Sequence, residues 1–392
     1  MDSKYITYRQ DKRIVSLFSY LVLVISVLIS PALTLILLPV WFNNVNKIIS
    51  ILITGLIFAF CAFYFEPESS MDLASYYRLA SNGTDLKEYY VDSSGNFSKA
   101  DYFIIILFVI IKTLSLNSHF IAAFSAFIYF SGLSLLAFVW ADLLKRPNYA
   151  TIIVISLILS EYLLGFTGIR YDNACVLFIL AFTYLIKNDK KISVLFLIIS
   201  CFFHFSILPL ALLIAISVYC KPKIILKIFW ILIFSGFFII PLLKYISPIL
   251  QNLGTIGYAL AGSIESYAFS EEDSVLYAGS RLWPIQRLLA FFFSTFIILK
   301  KIHINNELKN NNPYLNNFMH LLVAYTIFSF GIPQLFMRTL LIFSYISVFF
   351  AFKIIISNTK YNHLAIFYIT LYLILGIAAN ISGKEIFQLL NY

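Results

Sequence analysis

The chain has 392 residues, of which 61% are apolar and 12% charged, and its mean hydropathy is +0.88. Soluble domains are roughly 45–50% apolar and about 25% charged, so the composition excludes a water-soluble enzyme, a disordered chain, a disulfide-rich secreted scaffold and a nucleic-acid-binding protein. The net charge is +9, and most basic residues stand at the ends of apolar runs, as in membrane proteins. We predict an all-α polytopic membrane protein in which residues 1–392 form a single integral membrane domain.

Apolar runs long enough to cross a bilayer follow one another along nearly the whole chain. A span needs about 20 mostly apolar residues, because backbone groups in hydrocarbon must pair with each other. On this criterion the sequence predicts about 11–12 transmembrane helices. The runs lie near 15–40, 48–65, 119–140, 150–168, 171–187, 192–219, 224–246, 283–300, 318–335, 338–357 and 362–380.

Short basic loops set the orientation, because such loops stay in the cytoplasm. Lys145 and Arg146 mark one of them. Two longer loops, 66–118 and 247–282, each contain a polar stretch in which acidic residues outnumber basic ones. Both loops are predicted to lie outside the cytoplasm. The basic N-terminus conflicts with this orientation, so the side on which it lies stays open.

Two segments do not have the pattern of a simple span. Residues 101–116 are too short to cross and are predicted to form an interfacial juxtamembrane helix. The run 192–219 is long for one span and carries His204, Ser206 and Pro209 at its middle. It predicts a broken hairpin, which is tolerated at membrane depth only where the backbone is buried in protein or lines a cavity.

The first candidate site lies where the second predicted span ends. Asp72 and Tyr76 share one helical face at i, i+4 spacing. The carboxylate could orient or deprotonate a sugar hydroxyl, while the neighbouring Tyr and Arg side chains could stack on a sugar ring or hold a phosphate. The alternative is an N-cap Asp with solvated neighbours. Asp85 begins a second Asp-x-x-x-Tyr-Tyr element, so the choice between the two carboxylates stays open.

The turn from Gly165 to Asn173 connects two predicted spans at the outer face. Its glycines permit a tight turn with exposed backbone amides, and Arg170 lies at its apex. Arginine suits a bidentate phosphate contact. Arg170 could equally pair with Asp172 or reach lipid headgroups.

Further ionisable residues lie at or near the same predicted face. His204 lies deep in an apolar run, where it is either a core histidine or a functional group. Arg281 and Arg287 flank the point where the second outer loop returns to the membrane, and Arg338 precedes the next-to-last span. Arginines are rare on this side of membrane proteins. Together they predict a polyanionic ligand, of which pyrophosphate is the obvious candidate.

Several motifs are absent from the sequence. It contains no Walker-type phosphate loop, no dinucleotide fingerprint, no HExxH and no GxSxG. No cofactor and no metal ligand set are predicted. A reaction would therefore draw on an activated substrate that is already in the membrane.

Four short motifs follow in order between about residues 60 and 350: Pro67 through Tyr77, the Gly168-x-Arg170 turn, His204-x-Ser206, and Arg338 followed by Tyr345. In these motifs the sequence resembles the EpsG-like branch of Wzy-type O-antigen and exopolysaccharide polymerases. The resemblance implies a GT-C-like glycosyltransferase fold in the bacterial inner membrane. It also implies a periplasmic active site and a juxtamembrane helix after the first outer loop.

The resemblance implies a reaction in which a glycan on undecaprenyl pyrophosphate is passed to another lipid-linked repeat unit, giving O-antigen or capsular polysaccharide. Asp72, His204 and Arg170 would then be catalytic. The implied substrate-binding residues are Glu66, Tyr76, Tyr77, Arg78, Arg281, Arg287 and Arg338. The implied partners are the lipid-linked oligosaccharide, membrane lipids and a chain-length co-polymerase.

The main alternative is a flippase or transporter of the same lipid-linked oligosaccharide. A flippase should carry charges through the depth of several spans and show duplicated halves, whereas here the charges gather at one face. A membrane acyltransferase would need an acidic or Asn neighbour beside its catalytic His, and His204 has Cys, Phe and Ser.

Overall fold

The computed structural model of the chain describes residues 46–67, 72–81, 102–160, 164–252, 261–262, 282–299, 313–357 and 360–382. No strand occurs among these residues, and their regular structure is helical. The predicted all-α class of a polytopic membrane protein is therefore confirmed. The predicted span 15–40 and most of the loop 247–282 lie outside the described residues.

The helices are named in chain order. Those of the first half are α1 (Lys47–Phe63), α2 (Asp72–Ser81), α3 (Tyr102–Thr113), α4 (Phe120–Leu143), α5 (Ala150–Ser160), α6 (Leu164–Thr167) and α7 (Tyr171–Ile186). Those of the second half are α8 (Lys190–Phe203), α9 (Leu208–Tyr219), α10 (Pro222–Gly236), α11 (Ile239–Gln251), α12 (Leu282–Leu299), α13 (Pro313–Phe328), α14 (Pro333–Ile356) and α15 (Asn362–Ser382). Three short 3-10 segments accompany them: Pro147–Tyr149, Phe205–Ile207 and Ser329–Gly331.

Four of these helices, α4, α12, α14 and α15, are long and apolar enough to cross a membrane. The bent pair α10 and α11 makes a fifth if it counts as one span. The shorter apolar helices α1 and α7, with 17 and 16 residues, coincide with the predicted spans 48–65 and 171–187. The described residues thus establish four or five candidate spans, while the full number of about 11–12 stays a prediction.

The core forms where α4, α7 and α14 pack together, and these helices are buried along most of their length. The Tyr129 hydroxyl of α4 and the Tyr345 hydroxyl of α14 lie 2.7 Å apart inside this core. Such a buried hydroxyl pair links helices that are far apart in sequence, because each polar group needs a partner where water is absent. This core places the N-terminal turns of α7 and α14 close to each other.

Two predicted spans are broken in the structure. The run 192–219 breaks at His204, whose backbone is extended, as the sequence predicts. Its halves do not pack side by side as a tight hairpin would: α8 packs on α7, and α9 packs on α13. The single span predicted over 224–246 is instead α10 and α11, which are bent by 82°. Pro241 explains this break, because it cannot donate the hydrogen bond that a continuous helix needs.

Helix α3 corresponds to the predicted juxtamembrane helix and has 12 residues, too few to cross a bilayer. One side of it is buried, with Ile104, Leu107 and Ile111 in the core cluster. It packs against α2, α4 and α8. Its interfacial position stays a prediction, as do the GT-C-like likeness and the extracytoplasmic side of the loops.

Candidate functional site

The turn before α7 brings Arg170 to the N-terminus of a buried helix. Gly168 is required there, because a Cβ at this position would overlap the Asp172 carboxylate. Asp172 lies in the first turn of α7 and is buried. A carboxylate at this end of a helix is stabilised by the helix dipole. Arg170 and Asp172 therefore stand two positions apart at this turn, and a glycine at position 168 leaves room for the Asp172 carboxylate.

Tyr171 lies between two candidate residues that are distant in sequence. The Arg338 guanidinium lies over its ring, with Cζ 4.9 Å from the ring centroid. The Tyr171 hydroxyl donates to the Arg338 carbonyl oxygen at 2.8 Å. On another side, the His204 ring meets the Tyr171 ring edge to face at 5.5 Å. One tyrosine thus fixes both the backbone and the side chain of Arg338 and contacts the histidine.

The His204 ring has a defined hydrogen-bonding arrangement. Its Nδ1 accepts a hydrogen bond from the Ser206 backbone N–H at 3.1 Å. In a neutral imidazole only one nitrogen carries the proton, so the Ser206 contact places that proton on Nε2. The Arg338 and Arg170 charges both act on this ring. His204 therefore offers Nε2–H as a donor among cationic neighbours.

Helix α2 packs beside Arg170 and forms another side of the site. Leu73, Tyr76 and Tyr77 form its buried face at i, i+3 and i+4, and Tyr76 is only 2% exposed. The Arg170 guanidinium lies over the Tyr76 ring, with Cζ 5.5 Å from the centroid. Asp72 begins α2 one helical turn before Tyr76, but its side chain lies outside the described part of the chain.

Arg287 approaches from α12 and is 9% exposed. Its Cζ lies 6.0 Å from the Trp283 ring, one turn earlier in the same helix. The charges of Asp172, Arg338 and Arg287 all act on the Cys175 thiol in α7. These groups therefore gather around the first turns of α7. We call Arg170, Arg287, Arg338, Tyr171 and His204 the arginine cluster.

A second polar group lies where α1 ends and α4 begins. His119 Nδ1 lies 2.7 Å from the Phe63 carbonyl oxygen, and its Nε2 lies 3.5 Å from the Glu66 carboxylate. The Tyr77 ring packs on the His119 ring at 4.5 Å. Burial raises the pKa of Tyr77 above its ordinary value, and the Glu66 charge raises it further. This tyrosine therefore stays neutral and bonds to the protein, donating to the Phe65 carbonyl oxygen at 3.4 Å.

The structure brings some of the predicted site residues together and separates others. Arg170, Arg287, Arg338 and His204 share the arginine cluster, which Tyr76 adjoins. Glu66 and Tyr77 contact His119 instead. Arg78 is exposed and donates to the Ser75 hydroxyl of its own helix at 3.3 Å. Arg281 and Asp85 lie outside the described residues.

Sequence reasoning did not select Tyr171, Cys175 or His119 as site residues. The i, i+4 spacing of Tyr171 and Cys175 at the start of a predicted helix was an available signal. Nothing in the sequence pointed to the contact of His119 with Phe63, because these residues are 56 positions apart. Within the described ranges, no group of three or more His, Cys, Asp or Glu side chains could hold a metal ion.

Comparison with known proteins gives one match. The family model described as the EpsG family matches residues 47–392. No curated protein and no solved structure matches the chain.

Proposed function

Because the chain belongs to the EpsG family, we propose that it joins oligosaccharide repeat units carried on a polyprenyl pyrophosphate into a longer polysaccharide. The family is associated with glycosyltransferase-like polymerases of polysaccharide biosynthesis, and the apolar helices fit a membrane protein. The proposal adds a donor, undecaprenyl pyrophosphate-linked oligosaccharide, and a product, O-antigen or capsular polysaccharide. It also adds a location, the periplasmic face of a bacterial inner membrane, where a chain-length co-polymerase would be a partner.

The arginine cluster is the observation that carries this proposal. Arg170 directly precedes α7, and the charges of Arg287 from α12 and Arg338 from α14 both act on Cys175 in the first turns of α7. Guanidinium groups bind the oxygens of phosphates in bidentate geometry. In a partly buried site such contacts are stronger than in water, because the local dielectric constant is low. A pyrophosphate with its two phosphoryl groups suits several converging guanidinium groups.

The proposed reaction moves a glycan between two lipid carriers. The bond between the anomeric carbon of the donor and the pyrophosphate oxygen breaks, and a bond from that carbon to an acceptor hydroxyl oxygen forms. The hydroxyl proton passes to a base, and polyprenyl pyrophosphate leaves with the bonding electron pair. Arg170 and Arg338 would stabilise the negative charge that develops on the leaving oxygen, an effect often large in catalysis. The Nε2–H of His204 would donate to the same group.

Asp72 is our choice of base for the acceptor hydroxyl. It stands one turn before Tyr76 on α2, and Tyr76 lies under Arg170. An in-line displacement requires this base on the face of the anomeric carbon opposite the leaving pyrophosphate, so Asp72 would approach the donor from the side of α2. Asp85 is the second choice on sequence grounds. Replacing each by Asn in turn would show which variant loses elongation.

The decisive experiment compares Arg338→Ala with Arg146→Ala in purified protein placed in lipid vesicles with a synthetic lipid-linked repeat unit. Removing a charge-assisted contact costs about 1.5–3 kcal/mol, so elongation by Arg338→Ala should fall about 10- to 150-fold. Arg146 is exposed in the turn between α4 and α5 and serves as the matched control, which should elongate at the wild-type rate.

Two results would contradict the proposal. Elongation by Arg338→Ala at the wild-type rate would remove the cluster from the reaction. Movement of lipid-linked units across the vesicle membrane, with no new glycosidic bond in the wild type, would identify a transporter instead.

A further inference from the structure

Next to the arginine cluster, two helix breaks meet at one place on the apolar surface. The first is the 82° bend between α10 and α11, and the second is the 3-10 segment between α13 and α14. Both breaks precede a proline, Pro241 or Pro333, by a few residues, and proline lacks the N–H that would continue a helix. The two breaks have a common local cause.

The breaks touch each other closely. Gly236, the last residue of α10, faces the α13 backbone so tightly that an added Cβ would lie 2.8 Å from the Phe328 Cα. On the other side of the bend, Ile239 and Ile240 lie against Gly331. Only a glycine at position 236 permits this approach. The bend is therefore held in place by the second break.

Four phenylalanines around these breaks are exposed: Phe234, Phe237, Phe238 and Phe330. Phe237 is 76% and Phe330 is 71% exposed. We call these four residues the elbow surface. Exposure to lipid is ordinary in a membrane protein, so exposure alone does not distinguish the elbow surface from other faces. What distinguishes the elbow surface is its position next to the arginine cluster.

The elbow surface and the arginine cluster meet at the start of α14. The Phe330 ring meets the Phe336 ring edge to face at 5.2 Å, and Phe336 stands two residues before Arg338. The elbow surface and Arg338 therefore lie at the same end of α14.

We propose that the elbow surface binds the isoprenoid chain of a polyprenyl pyrophosphate while the arginine cluster holds its pyrophosphate. This inference rests on the proposed function and adds a binding site for the lipid tail. The ligand has an anionic head and a long apolar chain, and the two surfaces supply the matching features side by side. The donor would then enter sideways from the membrane.

Photo-crosslinking in vesicles tests the lipid site directly. A p-benzoylphenylalanine replaces Phe330 in one variant and Ile198 in the control, since Ile198 is 63% exposed on α8 and outside both surfaces. The probe is radiolabelled undecaprenyl pyrophosphate in phospholipid vesicles. We expect labelling at position 330 that excess unlabelled undecaprenyl pyrophosphate reduces at least tenfold, while undecaprenol does not. Labelling at position 198 should be weaker and insensitive to the competitor.

A kinetic variant gives a second measurement on folded protein. Phe330→Ser should raise KM for a donor with an undecaprenyl chain by about two- to tenfold and leave kcat unchanged, because the chain loses its packing contacts with the ring. With a ten-carbon chain on the donor, Phe330→Ser and wild type should have the same KM.

The results separate the two proposals. Equal, competitor-insensitive labelling at positions 330 and 198, with normal elongation by the wild type, overturns the lipid site alone. Competitor-sensitive labelling at position 330 without any elongation supports the lipid site and overturns the polymerase function. An unchanged KM of Phe330→Ser for the long-chain donor also counts against the lipid site.

Discussion

We expect Tyr171 to act by holding the Arg338 guanidinium, and a double-mutant cycle measures this. The Arg338 Cζ lies 4.9 Å from the Tyr171 ring centroid, and the Tyr171 hydroxyl donates to the Arg338 carbonyl oxygen at 2.8 Å. A cation–π contact contributes about 0.5–2 kcal/mol and a neutral hydrogen bond about 1 kcal/mol. Tyr171→Phe keeps the ring, so elongation should fall no more than about fivefold. Tyr171→Leu loses both contacts and should fall about 10- to 150-fold.

The cycle compares Tyr171→Leu, Arg338→Ala and the double variant by initial rates of elongation in vesicles. If the ring acts by positioning the guanidinium, the double variant should be about 2- to 30-fold faster than the product of the two single effects predicts. Thermal unfolding of each variant in detergent separates misfolding from misplacement. Strictly multiplicative effects in folded protein would refute the positioning role of Tyr171.

Two further predictions concern packing. Gly168→Ala should displace the Asp172 carboxylate and so lower both the Tm and the elongation rate. Gly262→Ala is the control and should change neither, because a Cβ at position 262 meets nothing within 4 Å. Equal Tm values for the two variants would contradict the close packing of the turn before α7. His119→Ala should lower the free energy of unfolding by about 1–3 kcal/mol in denaturant titrations, because the Phe63 carbonyl loses its partner. His320→Ala is the control, because the His320 ring contacts a carbonyl oxygen of its own helix at the same distance of 2.7 Å. If both variants lose the same free energy of unfolding, the link that His119 makes between two helices adds no stability.

The helices were predictable from the sequence because apolar runs, and the polar residues that end them, are local features. The break at His204 and the short helix α3 follow from polar residues and length alone. Hydrophobicity alone does not predict the bend between α10 and α11, because Pro241 lies inside an otherwise continuous apolar run and only its missing N–H marks the break.

The candidate site was predictable only in part. Arg170, Arg338 and His204 were selected because ionisable residues are costly near a membrane interior. Their common neighbour Tyr171 was not, because tyrosines are frequent in this chain and a contact across 167 positions leaves no local pattern. The predicted roles of Glu66 and Arg78 assumed that all polar residues after the second span face one ligand. In the structure the helical periodicity of α2 turns Arg78 outward.

The shortness of several helices has a consequence for the surrounding bilayer. Helix α1, whose outer side exposes Leu52, Leu56 and Phe60, has 17 residues and is therefore about 26 Å long, whereas the hydrocarbon core is about 30 Å thick. Lipids next to such a helix compress to match it, at a fraction of a kcal/mol for each ångström. Phosphate headgroups would then descend toward the guanidinium groups, which shortens the distance that a carrier lipid must travel. Vesicles of short-acyl phospholipids should accordingly support faster elongation than long-acyl ones, and equal rates would show that membrane thickness has no part in substrate delivery.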